Sequence, residues 1–236
     1  LGERVSTSRR ARLAAVTTAA LTVVLTGCGV TGTSFQPGVA AQVDDRTVTT
    51  DRVDEIVGDY CGALEEQLAA DGSAVPLSYL RGAFAGQLAL VLAAEQLADD
   101  YGVEPTNDYE RSVSEIEAQI TELTDEQREA VLEVESSSAY VASVQLAVGT
   151  QLLAEEGAGE PTNEEAGQRG VEAFNEWLDT HDIEFNPEYG VTLEDGSLVA
   201  ADTQLSYPVA KAAKAGQAPE PDPAYAKNLP ASQRCG

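Results

Sequence analysis

The sequence predicts a mainly α-helical body with a minor strand element, and three observations predict it. Apolar residues recur at helical spacing across most of residues 53–178. Thr-led caps and Gly or Pro breakers separate those runs into helix-sized pieces. Two-residue alternation is confined to short stretches, Val39 to Val43 and Ile183 to Phe185.

In the first stretch Val39, Ala41 and Val43 alternate as in a half-buried strand, Asp44-Asp45 suits a turn, and Thr47 and Val48 make a short return strand. Thr49 or Thr50 then caps a helix with Asp51 in its first turn, where the helix dipole favours an anion. Val53, Ile56, Val57, Tyr60, Cys61, Leu64 and Leu68 form one stripe of this helix, and Asp71-Gly72-Ser73 ends it. A second helix is expected from about Leu77 to Tyr101. Its stripe is Leu80, Phe84, Leu88, Val91 and Leu92, and alanines make it apolar nearly all round, so its neighbours should bury it.

Thr106-Asn107-Asp108 caps a third helix carrying Tyr109, Val113, Ile116, Ile120 and Leu123. Thr124 to Gln127 is a capping box for the next. Val131, Leu132 and Val134 follow, Ser136-Ser137-Ser138 is expected to interrupt, and the pattern resumes from Tyr140 through Val144 and Val148 to Leu153. Gly157 to Pro161 breaks the chain. Thr162 to Glu165 caps a last helix with Val171, Phe174, Trp177 and Leu178 facing inward. Ile183 and Phe185 give a short strand and Asn186 to Gly190 a turn. Residues 191–199 fit a hairpin around Asp195-Gly196 or a surface loop, and 206–234, rich in Ala, Pro and Lys, read as an extended tail.

Ahead of this body stands a basic and then apolar leader. Arg4, Arg9, Arg10 and Arg12 precede an uncharged run from Leu13 to Leu25, of signal-peptide rather than membrane-span length. Leu25-Thr26-Gly27-Cys28 matches a bacterial lipobox, so residues 1–27 are expected to be a lipoprotein signal peptide and Cys28 the lipidated residue. Two or three acyl chains on one residue give stable anchoring. The expected location is the extracytoplasmic face of the cell membrane, with 28–38 as a flexible tether. The Ala- and Glu-rich composition is similar to that of actinobacterial proteins.

The leader holds four of the 14 basic residues and one of the 40 acidic ones, leaving 10 and 39 in the remaining 209 residues. So negative a surface is repelled by phosphate backbones and by anionic headgroups, which argues against nucleic acid and leaves membrane attachment to the lipid. With Cys28 acylated, Cys61 and Cys235 remain as an even pair in an oxidising compartment, and a disulfide between them is expected.

The chemistry of catalysis is thin. One histidine and no further free cysteine exclude the usual zinc clusters, so no cofactor or metal is expected. No EF-hand loop, phosphate-binding glycine loop, Gly-x-Ser-x-Gly elbow or Ser-x-x-Lys motif occurs. His181, between Thr180 and Asp182, reads as a helix C-terminal cap. The chain is not expected to be an enzyme.

Two stretches carry a family resemblance. Val39-Ala-Ala-Gln-Val-Asp-Asp-Arg-Thr-Val-Thr-Thr-Asp-Arg-Val53 resembles the opening of the SurA/PrsA extracytoplasmic foldases, and Ile183-Glu-Phe-Asn-Pro-Glu-Tyr-Gly190 resembles their closing segment. Asp-Asp in the turn and Glu188 at a commonly basic position depart from the family pattern. The parvulin-type prolyl isomerase domain that the family usually inserts is not expected here, since the stretch between Leu153 and Asn163 is too short to hold one and His181 is the single histidine where parvulin sites lean on a pair. The resemblance covers about 39–190 and implies a helical bundle of the SurA N-terminal chaperone type, with a strand element made from the N-terminal and closing segments. It implies an energy-independent holdase for unfolded, newly exported proteins. A bundle whose helices do not close completely would leave an apolar groove, and Tyr60, Leu64, Leu80, Phe84, Tyr140 and Val144 on the helical stripes are its candidate residues. A scaffold lipoprotein with one envelope partner is the alternative, and a prolyl isomerase a third.

Overall fold

The first described strand, β1 (Val39–Val43), becomes the centre of a small sheet. The computed structural model describes residues 37–157, 159–194, 196–201, 210–216, 218 and 222–236, so the leader, Cys28 and most of the tether lie outside the described residues. β1 pairs antiparallel with β2 (Arg46–Thr49) on one side and β4 (Ile183–Phe185) on the other, with Val43 opposite both Arg46 and Ile183. The alternation in β1 predicts one solvated face, but Ala40, Ala41 and Val43 are all fully buried because strands flank both edges and helices cover the sheet. Asp44 takes the left-handed turn position, φ +51°. The residue just before β4 holds it there: the Asp44 amide donates to Asp182 O at 2.8 Å, and Asp44 Oδ1 accepts from Asp182 N at 3.0 Å.

Thr49 caps α1 (Thr50–Asp71), its Oγ1 accepting from Arg52 N at 3.2 Å. Gly72, at φ +55°, closes the helix in the left-handed conformation that glycine adopts without a Cβ penalty. After β3 (Val75–Pro76), α2 runs from Leu77 to Tyr101, the span expected. Its inner face differs from expectation. Leu80 and Phe84 point inward, but below them Ala85, Ala89, Ala93, Ala94 and Leu97 make the buried surface, while Leu88, Val91 and Leu92 are only half-buried. Small side chains let β1 and the neighbouring helices approach closely, which pushes the branched residues to the margin. α2 has the length and apolarity of a membrane span, but less than half of its most apolar window is buried in the body.

α3 (Asn107–Gln119) lies against α4 (Asp125–Glu155), and none of its residues is buried. α4 is one uninterrupted helix, so the expected break at Ser136 to Ser138 does not occur. Ser137 donates its hydroxyl to Glu133 O one turn back, and Ser143 does the same to Tyr140 O at 2.8 Å, so each satisfies its own polarity inside the helix. Both capping boxes form, at Thr124 for α4 and at Thr162 for α5 (Asn163–Leu178).

α4 and α5 meet through glycine. A Cβ on Gly149 would stand 2.6 Å from Gly170 N and nearer still to Ala166 O; one on Gly170 would stand 3.0 Å from Gln145 Cα and nearer to its carbonyl. Val171, expected inside, is 43 % exposed because Gly170 takes the contact beside it.

Beyond the turn at Pro187–Tyr189, β5 (Val191–Glu194) pairs antiparallel with β6 (Ser197–Ala200), the hairpin of the two alternatives. The expected extended tail is in part structured. α6 (Lys211–Gly216) and α7 (Pro223–Lys227) precede β7 (Arg234–Cys235), which pairs with β3, Val75 opposite Cys235. The sulfurs of Cys61 and Cys235 form a disulfide, Cα–Cα 5.5 Å, and Cys235 is fully buried.

Candidate polypeptide-binding surface

Three of the six expected groove residues belong to the core. Leu80 is 8 % exposed, Phe84 4 % and Val144 0 %, so none of them can meet an incoming chain unless the bundle opens; the placement of these three in a groove is corrected. Their stripes face α1, α2 and α4 neighbours that close over them. Tyr60, Leu64 and Tyr140 remain half-buried.

The structure brings Tyr60 and Phe84 together, ring centroids 5.0 Å apart and edge to face. The Tyr60 hydroxyl donates to Glu135 on α4, and burial with the adjacent carboxylate raises its pKa well above the ordinary phenol range. Tyr140 sits elsewhere, edge to face with Tyr109 of α3 at 5.3 Å. Burial raises its pKa first, then the charges of Glu95 and Asp99 and the ring of Tyr109 add to the shift while Arg46 opposes it. The two tyrosines therefore mark two separate places on the bundle.

Between α1 and α4 lies a small cleft that Tyr60 does not line; its walls are Arg52, Glu55, Ile56, Asp59, Glu126, Glu129 and Ala130. Arg52 fills its polarity, bonding Glu55 at 2.9 Å, Glu129 at 3.1 Å and also Glu133. Burial disfavours the guanidinium charge, but the carboxylates of Glu55, Glu133 and Glu129 outweigh that and raise its pKa. The cluster ties α1 to α4. Among the described residues, no group of three His, Cys, Asp or Glu could hold a metal ion.

Tyr140 marks the seam between α3 and α4. Tyr109, Val113, Ile116 and Ile120 lie on one stripe and are all half-buried. On the helix wheel Glu110 and Glu117 flank that stripe on one side and Asp108 and Glu115 on the other, every one exposed. Arg128 closes the turn by donating to Leu123 O at 3.1 Å.

Comparison with family models, with curated proteins and with solved structures gives no match. His181 sits at the end of α5 as its sequence position predicts, Nδ1 2.7 Å from Trp177 O and its ring stacked on Trp177 at 3.6 Å. Trp177 in turn donates to Asp100 Oδ2 at 2.8 Å. Spacing groups the apolar residues of α3 on one stripe without showing how far a neighbour covers them. The missed signal was the crowd of carboxylates around only a few apolar residues in a 13-residue helix, too little to bury any of them fully.

Proposed function

We propose that this chain is an energy-independent chaperone module, held by lipid at Cys28 on the extracytoplasmic face of the membrane and built like the SurA N-terminal domain. One observation carries this reading. The stretches that resemble the foldase opening and closing segments lie about 130 residues apart in sequence, yet β1 and β2 of the first share a sheet with β4 of the second, and α1 to α5 lie between them. Client segments would be sheltered on half-exposed apolar surface, each square ångström removed from water contributing about 25 cal/mol. The burial of Leu80, Phe84 and Val144 favours a second reading, a scaffold that meets one partner through a defined surface rather than an open groove.

The test uses the full chain as isolated from membranes. Mixed at near-equal molar ratio with a reduced, aggregating client protein, it should slow light scattering, and a prolyl-peptide isomerisation assay should show no acceleration. An unchanged scattering curve at several-fold molar excess would rule out the holdase, and recovery of one protein in stoichiometric amount by pull-down would favour the scaffold.

A further inference from the structure

We propose that the α3–α4 seam is a docking surface for basic, amphipathic polypeptide segments, an inference that rests on the chaperone reading and names the client class. α3 and its C-cap contribute an apolar stripe, Tyr109, Val113, Ile116 and Ile120, that packs against α4 and is half-buried, with no residue of α3 fully covered. Acidic side chains rim both edges of that stripe. Between Glu104 and Glu135 the chain has eleven acidic residues and two basic ones. Both basic residues are spent locally: Arg111 pairs with Asp108 at 2.9 Å, and Arg128 pairs with Asp125.

Arg111 neutralises Asp108, which leaves Glu110 and Glu117 on one edge and Glu115 on the other to face a segment with one apolar side and lysines or arginines beside it. Apolar contact supplies attraction, and the flanking charges supply orientation and speed of encounter. A second copy of this chain is the wrong occupant, since it would set carboxylate rows against one another. An acidic or neutral segment would leave the rims unpaired and gain only the apolar contact.

The experiment measures fluorescence anisotropy of a short labelled peptide, leucine on one face and lysine on the other, titrated with the full chain. A counterpart with glutamate for lysine serves as comparison. The basic peptide should bind, the acidic one should not, and affinity should fall about tenfold between low and moderately high salt as screening shortens the reach of the carboxylates. Glu115→Lys with Glu117→Lys should weaken binding about tenfold, as should Val113→Ser with Ile116→Ser, while Glu194→Lys on the hairpin should leave it unchanged. Circular dichroism checks that each variant keeps its helices; Glu115 and Glu117 are exposed, so the charge reversal leaves the core untouched. Equal binding of both peptides, indifference to the α3 reversal, or dimerisation through this face would overturn the proposal. If the wild type suppresses client aggregation and the reversed variant suppresses it equally, the docking surface falls and the chaperone reading stands. If the wild type holds neither peptide nor client, both fall.

Discussion

Gly170→Ala is the most informative single change in the bundle. Alanine ordinarily stabilises a helix interior by about 1 kcal/mol over glycine. At Gly170 the added carbon would meet the Gln145 main chain, its Cα 3.0 Å away and its carbonyl closer. No rotamer relieves a clash with backbone, so α5 must retreat from α4. That loosens Ala166, Ala173 and Phe174, none more than 2 % exposed. Overpacking of this kind costs about 1–3 kcal/mol. With loosened contacts added and the helix gain subtracted, net destabilisation should be about 2 kcal/mol, which for a domain of this size lowers Tm by roughly 4–8 °C. Gly167, one turn earlier in the same helix, has nothing within 4 Å of its would-be Cβ. Gly167→Ala should therefore raise Tm by a few degrees, within the roughly 1 kcal/mol helix gain. Thermal unfolding followed by circular dichroism compares the two. Movement of both midpoints in the same direction would refute the close-crossing argument.

Two further outcomes are expected. The Cys61–Cys235 bridge closes a sequence separation of 174 residues, so Cys235→Ser should cost about 5 kcal/mol in the chain-entropy model, read as a lower urea midpoint that reductant lowers no further; an unchanged midpoint would mean that the bridge does not restrict the unfolded chain. The Tyr189 phenol, buried and near the charges of Glu188 and Asp54, is pushed up to about 12 from 10.0, so the folded state holds that proton more tightly than the unfolded one. Its contribution is complete below pH 10 and lost as pH climbs towards 12, and Tyr189→Phe should flatten that alkaline decline in denaturant stability. A decline of the same steepness in the variant would assign it to other groups.

Much of the fold was legible because caps and breakers are local chemistry. Thr49, Thr124 and Thr162 announced their helices, Gly72 stopped its own, and all four did so where their side chains or φ angles dictate. What failed depended on how closely elements approach. Periodicity ranks leucine over alanine as a core residue, yet in α2 the tight packing selects Ala89 and Ala93 and leaves Leu88 and Leu92 at the edge. Gly170 replaced Val171 for the same reason. The serines of α4 were read as a break because serine competes for backbone hydrogen bonds, but Ser137 spends its hydroxyl on the preceding turn instead. Of the site, Tyr60 and Tyr140 were found by spacing. The carboxylate-rimmed seam was not, because a helical stripe looks the same whether a neighbour covers it or solvent does.

The meeting of β1 and β4 has a mechanical consequence. Asn186 N reaches Ala40 O at 2.9 Å, and Asn186 Nδ2 reaches Val39 O at 3.1 Å, so the polypeptide arrives at the helices and departs from them at the same corner. Tension applied between residue 38 and residue 187 would pull these antiparallel strands apart one rung at a time, as a zipper opens, rather than sliding them lengthwise. The sheet is then the weak link under load: a modest tug detaches β4 while α1 to α5 are spared the strain.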